Sequence, residues 1–195
     1  MVSRPQRMTK DERREQLLQV ADEIVQAQGT DALTLITLAE HAGVSKPITY
    51  EHFSTREGLL SQLYRRYDDK VIAATRAAID DKVKSLPEAA RIAVEAYIEC
   101  AVTVGPTYEA IVAALHAYPG QEALCNRIRD SFVEAYMAIL EPLSNVSSTN
   151  SRLRFIALFG AVDAVARAVM LKEVNQEVAV KLLTEMIVGT LDCGD

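Results

Sequence analysis

Apolar residues recur every three or four positions along most of this chain, which is the spacing of one face of an α-helix. The first such stripe is formed by Leu17, Leu18, Ala21, Ile24 and Val25. Long runs rich in alanine, leucine and glutamate follow, and only 8 glycines and 6 prolines interrupt the 195 residues. This pattern predicts an all-α protein.

Capping residues set the predicted ends of the early helices. Thr9 and Glu12 form a capping box that begins the first helix, and Gly29 is placed to end it. Thr34 is a candidate N-cap for a short second helix, and Gly43 supplies the turn that follows it.

The next two helices also have start signals. Ser45 is a candidate N-cap for a third helix, in whose first turn Pro47 is tolerated. Ser54 and Glu57 have the spacing of another capping box, which predicts a long fourth helix to about Lys84.

The remaining boundaries are set by proline, glycine and one polar run. Gly105-Pro106 and Pro119-Gly120 predict two breaks, and residues 145–151 predict a loop. The helices expected after Pro87 are 88–104, 108–117, 121–143, 152–172 and 176–191. The prediction is therefore about nine helices: a three-helix head in residues 1–54 joined to a helical bundle in residues 55–195, whose first helix is the connector.

Charge and cysteine content narrow the class of protein. The formal net charge is −6, yet residues 1–14 hold five basic residues against two acidic ones. A basic arm on an acidic body suits either a small DNA-contacting end or a solubilising tail. The three cysteines show no metal spacing, which predicts reduced thiols, no bound metal and no cofactor in a cytoplasmic protein. No signal sequence is evident and no apolar run approaches about 18 residues, so neither secretion nor a membrane span is expected.

The segment ITLAEHAGVSKPITYEHFSTREGLL, residues 36–60, carries the strongest functional signal. A short helix, a glycine turn and a second short helix make a helix-turn-helix. Thr49 and Phe53 fall on the buried face of the third helix. The opposite face carries the contact-capable side chains Lys46, Pro47, Ile48, Tyr50 and Glu51, with His52 beside them. In DNA-binding helix-turn-helix proteins the N-terminal end of this helix enters the major groove. In an ordinary helical hairpin the same residues would only form part of the surface.

Residues 33–60 resemble the DNA-binding segment of the tetracycline-repressor (TetR-type) family of transcriptional regulators. The matching features are the threonine before the second helix, Ala-Gly-Val-Ser, Tyr-x-His-Phe at the end of the third helix, and the basic-acidic pair that opens the fourth. The resemblance implies a homodimer that binds a palindromic double-stranded DNA operator and a small-molecule effector. A repressor released by a hydrophobic effector is the form we expect, and an activator remains open.

The resemblance also implies roles for single residues. Thr34 would touch a phosphate, and Tyr50, His52 and Arg56 would reach the DNA backbone. Arg4 and Arg7 of the arm would add phosphate or minor-groove contacts. Ser45, Lys46, Pro47 and Ile48 would lie at or beside the base edges.

One departure concerns the order Ile48-Thr49-Tyr50, because the family commonly has a small or hydroxyl residue and then an aliphatic one before the tyrosine. Here Ile48 falls on the groove side, where it can pack on a thymine methyl group. Thr49 falls on the buried side and must find a hydrogen bond, for example to a carbonyl one turn back. An operator sequence borrowed from relatives is therefore in doubt, but the motif is not.

The second half of the chain suggests pairing and ligand binding. Gly160, Ala164 and Ala168 recur every four residues, and Leu182, Leu183, Met186 and Ile187 give the last helix an apolar face, so two such helices per chain can pair with their copies in a four-helix bundle. Aromatic or polar residues in otherwise apolar helices are candidate effector contacts, although each has a core or surface alternative. They are Tyr97, Cys100, Tyr108, His116, Tyr118, Phe155, Phe159, Asp163 and Arg167.

The residues also bear on two other classes of protein. An enzyme is disfavoured, because the chain has no Glu-x-x-His pair, no nucleotide-binding glycine loop and no Gly-x-Ser-x-Gly elbow. A helical interaction module with a DNA-silent helix-turn-helix is the alternative, supported by Glu51 and the net negative charge of the chain.

If the protein binds DNA, effector binding would tilt the fourth helix and change the separation of the two recognition helices of the dimer.

Overall fold

The computed structural model describes residues 8–79, 83–119, 122–145 and 150–192. These residues form eight α-helices: α1 (Lys10–Gln28), α2 (Leu35–His41), α3 (Lys46–Phe53), α4 (Arg56–Ala78), α5 (Leu86–His116), α6 (Glu122–Leu140), α7 (Ser151–Met170) and α8 (Gln176–Asp192). Two short 3₁₀ turns occur at Thr30–Ala32 and Glu141–Leu143. The all-α class predicted from the sequence is confirmed, and Arg4 and Arg7 lie outside the described residues.

The chain divides into two compact units, and the division is not a simple cut along the sequence. The first unit, which we call the head, contains the residues up to Arg65 together with Thr107–Pro119. It therefore holds α1, α2, α3, the start of α4 and the end of α5. Its largest fully buried side chains include Leu17, Leu38, Leu59, Ile111 and Leu115.

The second unit, the body, contains Arg66–Pro106 and the chain from residue 120 onward. It holds the rest of α4, the start of α5, and α6, α7 and α8. A single apolar core includes Val94, Ile98, Val133, Leu158 and Leu183. By length and composition alone, α5 is long and apolar enough to cross a membrane. A core helix passes the same test, and the buried Ala89, Val94 and Ile98 show that part of α5 is used in that way.

The break predicted at Gly105-Pro106 is wrong, because α5 runs through both residues. A proline inside a helix lacks the N–H for one backbone bond and crowds the residue before it. Gly105 has no Cβ and so relieves that crowding. It also packs so closely on the sulfur of Met170 that an added Cβ would overlap it. The helix therefore continues, and the described residues contain eight helices instead of nine.

The start of α4 needs a second correction. Ser54 was predicted to cap this helix, but it ends α3 with φ 60°. Thr55 takes the capping role, because its hydroxyl accepts a hydrogen bond from the Gly58 N–H at 3.0 Å. The predicted start of α1 is confirmed, since Thr9 and Glu12 form both bonds of a capping box.

Candidate nucleic-acid interface and ligand cavity

Thr49 of α3 forms a hydrogen bond to α2. Its side chain is fully buried, and its hydroxyl donates to the carbonyls of Leu35 and Lys46, each at 2.9 Å. The Lys46 carbonyl is the partner one turn back that the sequence suggested. The Leu35 carbonyl lies 14 residues earlier in the chain, so only the tertiary structure reveals it. The helix end is held as well, because Phe53 is buried.

The opposite side of α3 is open. Lys46, Pro47 and Tyr50 are exposed, and Tyr50 keeps 48% of its surface. Ile48 and His52 are half-buried. Ser45 occupies the N-cap position and is exposed, but its hydroxyl makes no capping hydrogen bond. Hydroxyl, ammonium and phenol groups are therefore presented together at the N-terminal half of α3.

Thr34 begins α2 through a reciprocal capping box. Its hydroxyl accepts from the Thr37 N–H at 3.0 Å, and the Thr37 hydroxyl accepts from the Thr34 N–H at 2.9 Å. The turn between α2 and α3 contains Gly43 at φ 64°, a conformation that favours glycine. The predicted cap of α2 and the glycine turn are thus confirmed, whereas Ser45 occupies the N-cap position of α3 without the capping hydrogen bond.

Arg56 has a different environment from the one expected of a phosphate contact. Its guanidinium donates to the carbonyls of Leu33 at 2.8 Å and Thr30 at 2.7 Å, and to the Tyr118 hydroxyl at 3.0 Å. All these groups belong to the head. The side chain is half-buried and holds the segment that leads into α2. Its predicted phosphate contact would have to use the guanidinium N–H groups that these three hydrogen bonds leave over.

The charges that act on His52 of α3 are those of three cations, Lys10, Arg13 and Arg14, and one anion, Glu51. Lys10 at the start of α1 lies 3.6 Å from Glu51 on α3, and both side chains are well exposed. Burial lowers the pKa of His52 below its usual value, and the nearby cations of Lys10, Arg14 and Arg13 act in the same direction, against the opposing effect of Glu51. Local charge at this surface is therefore a better guide to a polyanion partner than the net charge of −6.

An apolar cavity of about 40 Å³ lies in the body. Its lining comes from four helices: Ala93, Val94 and Tyr97 of α5; Phe132, Val133, Tyr136 and Leu140 of α6; Phe155, Leu158, Phe159 and Val162 of α7; and Ile187 of α8.

Aromatic rings in mutual contact form one wall of this cavity. Phe132 and Phe159 are stacked with their ring centres 5.3 Å apart. Tyr97 meets both edge-on, with its ring centre 5.7 Å from that of Phe132 and 6.1 Å from that of Phe159. Tyr136 stacks on Phe132 at 6.1 Å. Edge-on and offset contacts of this kind are favourable, so the cluster stabilises the wall.

The two tyrosine hydroxyls of the lining are already bonded. Tyr97 donates to the exposed carboxylate of Asp163 at 2.9 Å, and the Tyr136 hydroxyl lies 3.3 Å from the Thr75 hydroxyl. Burial, assisted by the negative charge of Asp163, raises the pKa of Tyr97 well above its usual value. Burial also raises the pKa of Tyr136 to about 12. Both phenols are therefore neutral at physiological pH.

The structure brings together only some of the predicted ligand residues. Tyr97, Phe155 and Phe159 line the cavity, and Asp163 bonds to Tyr97. Cys100 and Arg167 are in the body but do not line it, and burial raises the pKa of the Cys100 thiol to about 11.

Three further candidates belong to the head and do not line the cavity, so their predicted place in it is wrong. They are Tyr108, His116 and Tyr118. Tyr108 packs on Tyr64, with the ring centres 4.9 Å apart. The sequence reasoning missed Phe132 and Tyr136. Their spacing of four on one helix was the signal that would have found them.

The dimer interface predicted from the last two helices also needs correction. Leu183 and Ile187 are buried in the core of their own chain, because they face inward from α8. Leu182 is 55% exposed, and Gly160 and Ala164 of α7 are exposed too. Ala168 and Met186 are half-buried. The outward apolar positions of α7 and α8 also include Leu153, Leu171 and Val178.

Known proteins resemble this chain in two ways. Residues 17–70 match the sequence profile of the bacterial regulatory proteins of the tetR family. The transcriptional activator FasR of Mycolicibacterium smegmatis is 35% identical over 96 residues, which are 49% of this chain and 43% of that relative. The match thus spans less than half the length of FasR.

Solved structures extend the similarity over the body. A TetR-like transcriptional regulator from Rhodococcus sp. RHA1 superimposes with a TM-score of 0.62 at 25% identity, covering 93% of this chain and 96% of that one. The fatty acid degradation regulator FadR from Bacillus halodurans shares the fold, with a TM-score of 0.65 at 19% identity over 94% and 97% of the two chains. The sequence of the head and the fold of the chain are therefore both similar to those of TetR-type transcriptional regulators.

Proposed function

We propose that this protein is a repressor that binds a palindromic DNA operator as a homodimer and is released by a small hydrophobic effector. The observation that carries the proposal is the geometry of α3. Thr49 holds one side of the helix on α2, while Lys46, Pro47 and Tyr50 are exposed on the other side. A short helix held in this way is suited to the major groove, where its N-terminal residues meet base edges.

Within this proposal the exposed groups have separate tasks. Lys46 donates to a guanine edge, and Ile48 packs on a thymine methyl group. Ser45 and Pro47 lie beside the base edges, and Thr34, Tyr50 and His52 contact the phosphate backbone and fix the register. Arg56 fixes the segment before α2 through its three hydrogen bonds, and a phosphate contact would use the N–H groups that these bonds leave over.

The homodimer is supported by the outward face of α7 and α8. Leu153 is 65% exposed and Val178 is 61% exposed, so large apolar side chains stand in water in the single chain. Gly160 and Ala164 lie between Leu153 and Leu171 on the exposed side of α7 and let a second helix approach closely. A twofold pair would present two recognition helices, which fit half-sites about 34–36 Å apart.

Selection from a random duplex library, followed by a salt titration on the enriched site, tests the DNA part. A palindromic site with a binding constant that falls steeply with salt is the expected result, because Lys and Arg displace counterions from phosphates. A folded preparation that enriches no site would overturn it.

A second candidate function is a helical interaction module whose head no longer binds DNA. Glu51 on the exposed side of α3 favours it, because a carboxylate at that position repels phosphates. Weak binding that is equal for all duplexes would support this candidate. The direction of regulation follows from the position of the operator, and FasR is named an activator. A promoter-reporter assay in cells with and without the protein tests whether it represses transcription. We propose that it does so in the cytoplasm.

A further inference from the structure

We propose that the ligand of the body cavity is an uncharged, single-ring aromatic compound that packs against Phe132 and Phe159. This inference rests on the proposed function, because it names the class of effector that the regulator would recognise.

The charge of the ligand follows from the lining. The cavity wall is built from aliphatic and aromatic side chains, and its two polar groups are the hydroxyls of Tyr97 and Tyr136. Both are engaged at their outer ends, by Asp163 and by Thr75. A carboxylate or an ammonium group that entered would lose its hydration and find no opposite charge among the lining residues. Burying an unpaired charge is costly, so charged compounds are excluded.

The ring preference follows from the arrangement of the aromatic wall. Phe132 and Phe159 are stacked at 5.3 Å, and Tyr97 stands edge-on to both. One more ring placed in the cavity can continue the same stacked or edge-on pattern. Such ring pairs gain more than their buried area alone would give. A saturated ring of equal size would fill the space without this gain.

The size of the ligand follows from the volume. A cavity of about 40 Å³ is well below the 300–1,000 Å³ that drug-sized ligands occupy, and also below the roughly 150 Å³ of an apolar cavity that binds benzene, so even one ring requires the lining side chains to move. Phe132 and Phe155 are buried, whereas Tyr97, Tyr136 and Phe159 are half-buried. We expect the half-buried rings to be displaced more readily than the buried ones, which would make room for a compound of one ring beside Phe159.

Isothermal titration calorimetry of the full chain tests the charge preference with toluene, benzoate and benzylamine. Toluene is expected to bind in the millimolar range or tighter, and the two ions more than about ten-fold more weakly. Benzoate or benzylamine binding as well as toluene, or an absence of toluene binding, would overturn the inference.

Two variants tie the binding to this cavity. Ala93 is a buried lining residue, and Ala93→Leu fills the space and should abolish toluene binding. Ala138→Leu places the same change on the exposed side of α6 and should leave binding unchanged. If Ala93→Leu does not fold, Phe159→Leu keeps an apolar group at a half-buried position. It should lower the preference for toluene over methylcyclohexane about three-fold or more. An unchanged preference would overturn the ring assignment.

Operator binding is measured separately, so that the two proposals fail in different ways. Toluene that binds but leaves operator affinity unchanged supports the ligand class and contradicts effector release. Operator binding with no toluene binding supports the regulator and contradicts the ligand class.

Discussion

The Tyr118 hydroxyl accepts a hydrogen bond from the Arg56 guanidinium at 3.0 Å, which joins the segment after α5 to the start of α4 within the head. The same guanidinium also holds the Thr30 and Leu33 carbonyls before α2. One side chain thus ties the segment after α5 to the segment leading into the helix-turn-helix, all within the head.

Removing the hydroxyl of Tyr118 should destabilise the head. Tyr118→Phe leaves one guanidinium N–H without its partner, and a loss of about 1 kcal/mol in the free energy of unfolding is expected. Urea unfolding measures it. Tyr50→Phe is the matched control, since the Tyr50 ring is largely exposed, and its stability should change by less than about 0.5 kcal/mol. Equal stabilities for the two variants would contradict the role given to Tyr118.

Thr49→Val tests the attachment of α3 to α2. Valine keeps the shape of the side chain but removes the donor to the Leu35 carbonyl, so a cost of about 1–3 kcal/mol is expected. Thr49→Ser keeps the donor and should retain more of the stability. Thermal unfolding followed by circular dichroism compares them, and a valine variant more stable than the serine variant would argue against the hydrogen bond.

Lys46→Gln tests base reading by α3. If Lys46 donates to a guanine, the variant should lose about 1–3 kcal/mol of discrimination at one base pair of each half-site. Fluorescence anisotropy on the selected operator and on single-base variants measures this. Lys181→Gln is the control, because Lys181 is an exposed lysine of the body. A uniform loss on all duplexes would assign Lys46 to phosphate instead.

We expect His52 to make the stability of the fold and the affinity for the operator depend on pH in opposite directions. Its pKa in the folded protein is lowered, chiefly by burial, so the folded state disfavours the charged form. The stability contributed by neutral His52 is present above the unfolded pKa of about 6.5 and is lost as the pH falls below it. Operator affinity should change the other way, because a phosphate beside His52 favours the imidazolium.

His52→Gln should flatten both profiles. Urea unfolding and anisotropy between pH 5.5 and 8 measure them. His41→Gln is the control, since His41 is an exposed histidine of α2 whose ring bonds to the Thr37 carbonyl. Profiles that keep their slope in His52→Gln would remove His52 from the interface.

Leu182→Glu tests the pairing face. A charge at this exposed apolar position should abolish the homodimer at micromolar concentration, because its burial in an interface would leave it unpaired. Analytical ultracentrifugation measures the mass in solution. Val102→Glu makes the same change at an exposed position of α5 and should leave the assembly unchanged. Monomers in both variants, or dimers in both, would contradict the proposed face.

The sequence by itself determined the features that local chemistry sets. Thr9 and Thr34 cap their helices through bonds to residues three positions away, and Gly43 adopts a backbone angle that few other residues accept. These features depend on neighbours in the chain, so a pattern of letters is enough to predict them. The inward position of Thr49 and Phe53 followed in the same way from the helical period.

The tertiary structure alone decided the features that depend on distant residues. Helix α5 continues through Pro106, where Gly105 meets Met170. Arg56 turns toward Tyr118, which lies 62 positions later. The apolar stripe of α8 has two sides, and only packing in the body showed that Leu183 faces inward while Leu182 faces water. Helical periodicity fixes which residues share a face, but the direction of that face is set by the helices packed against it.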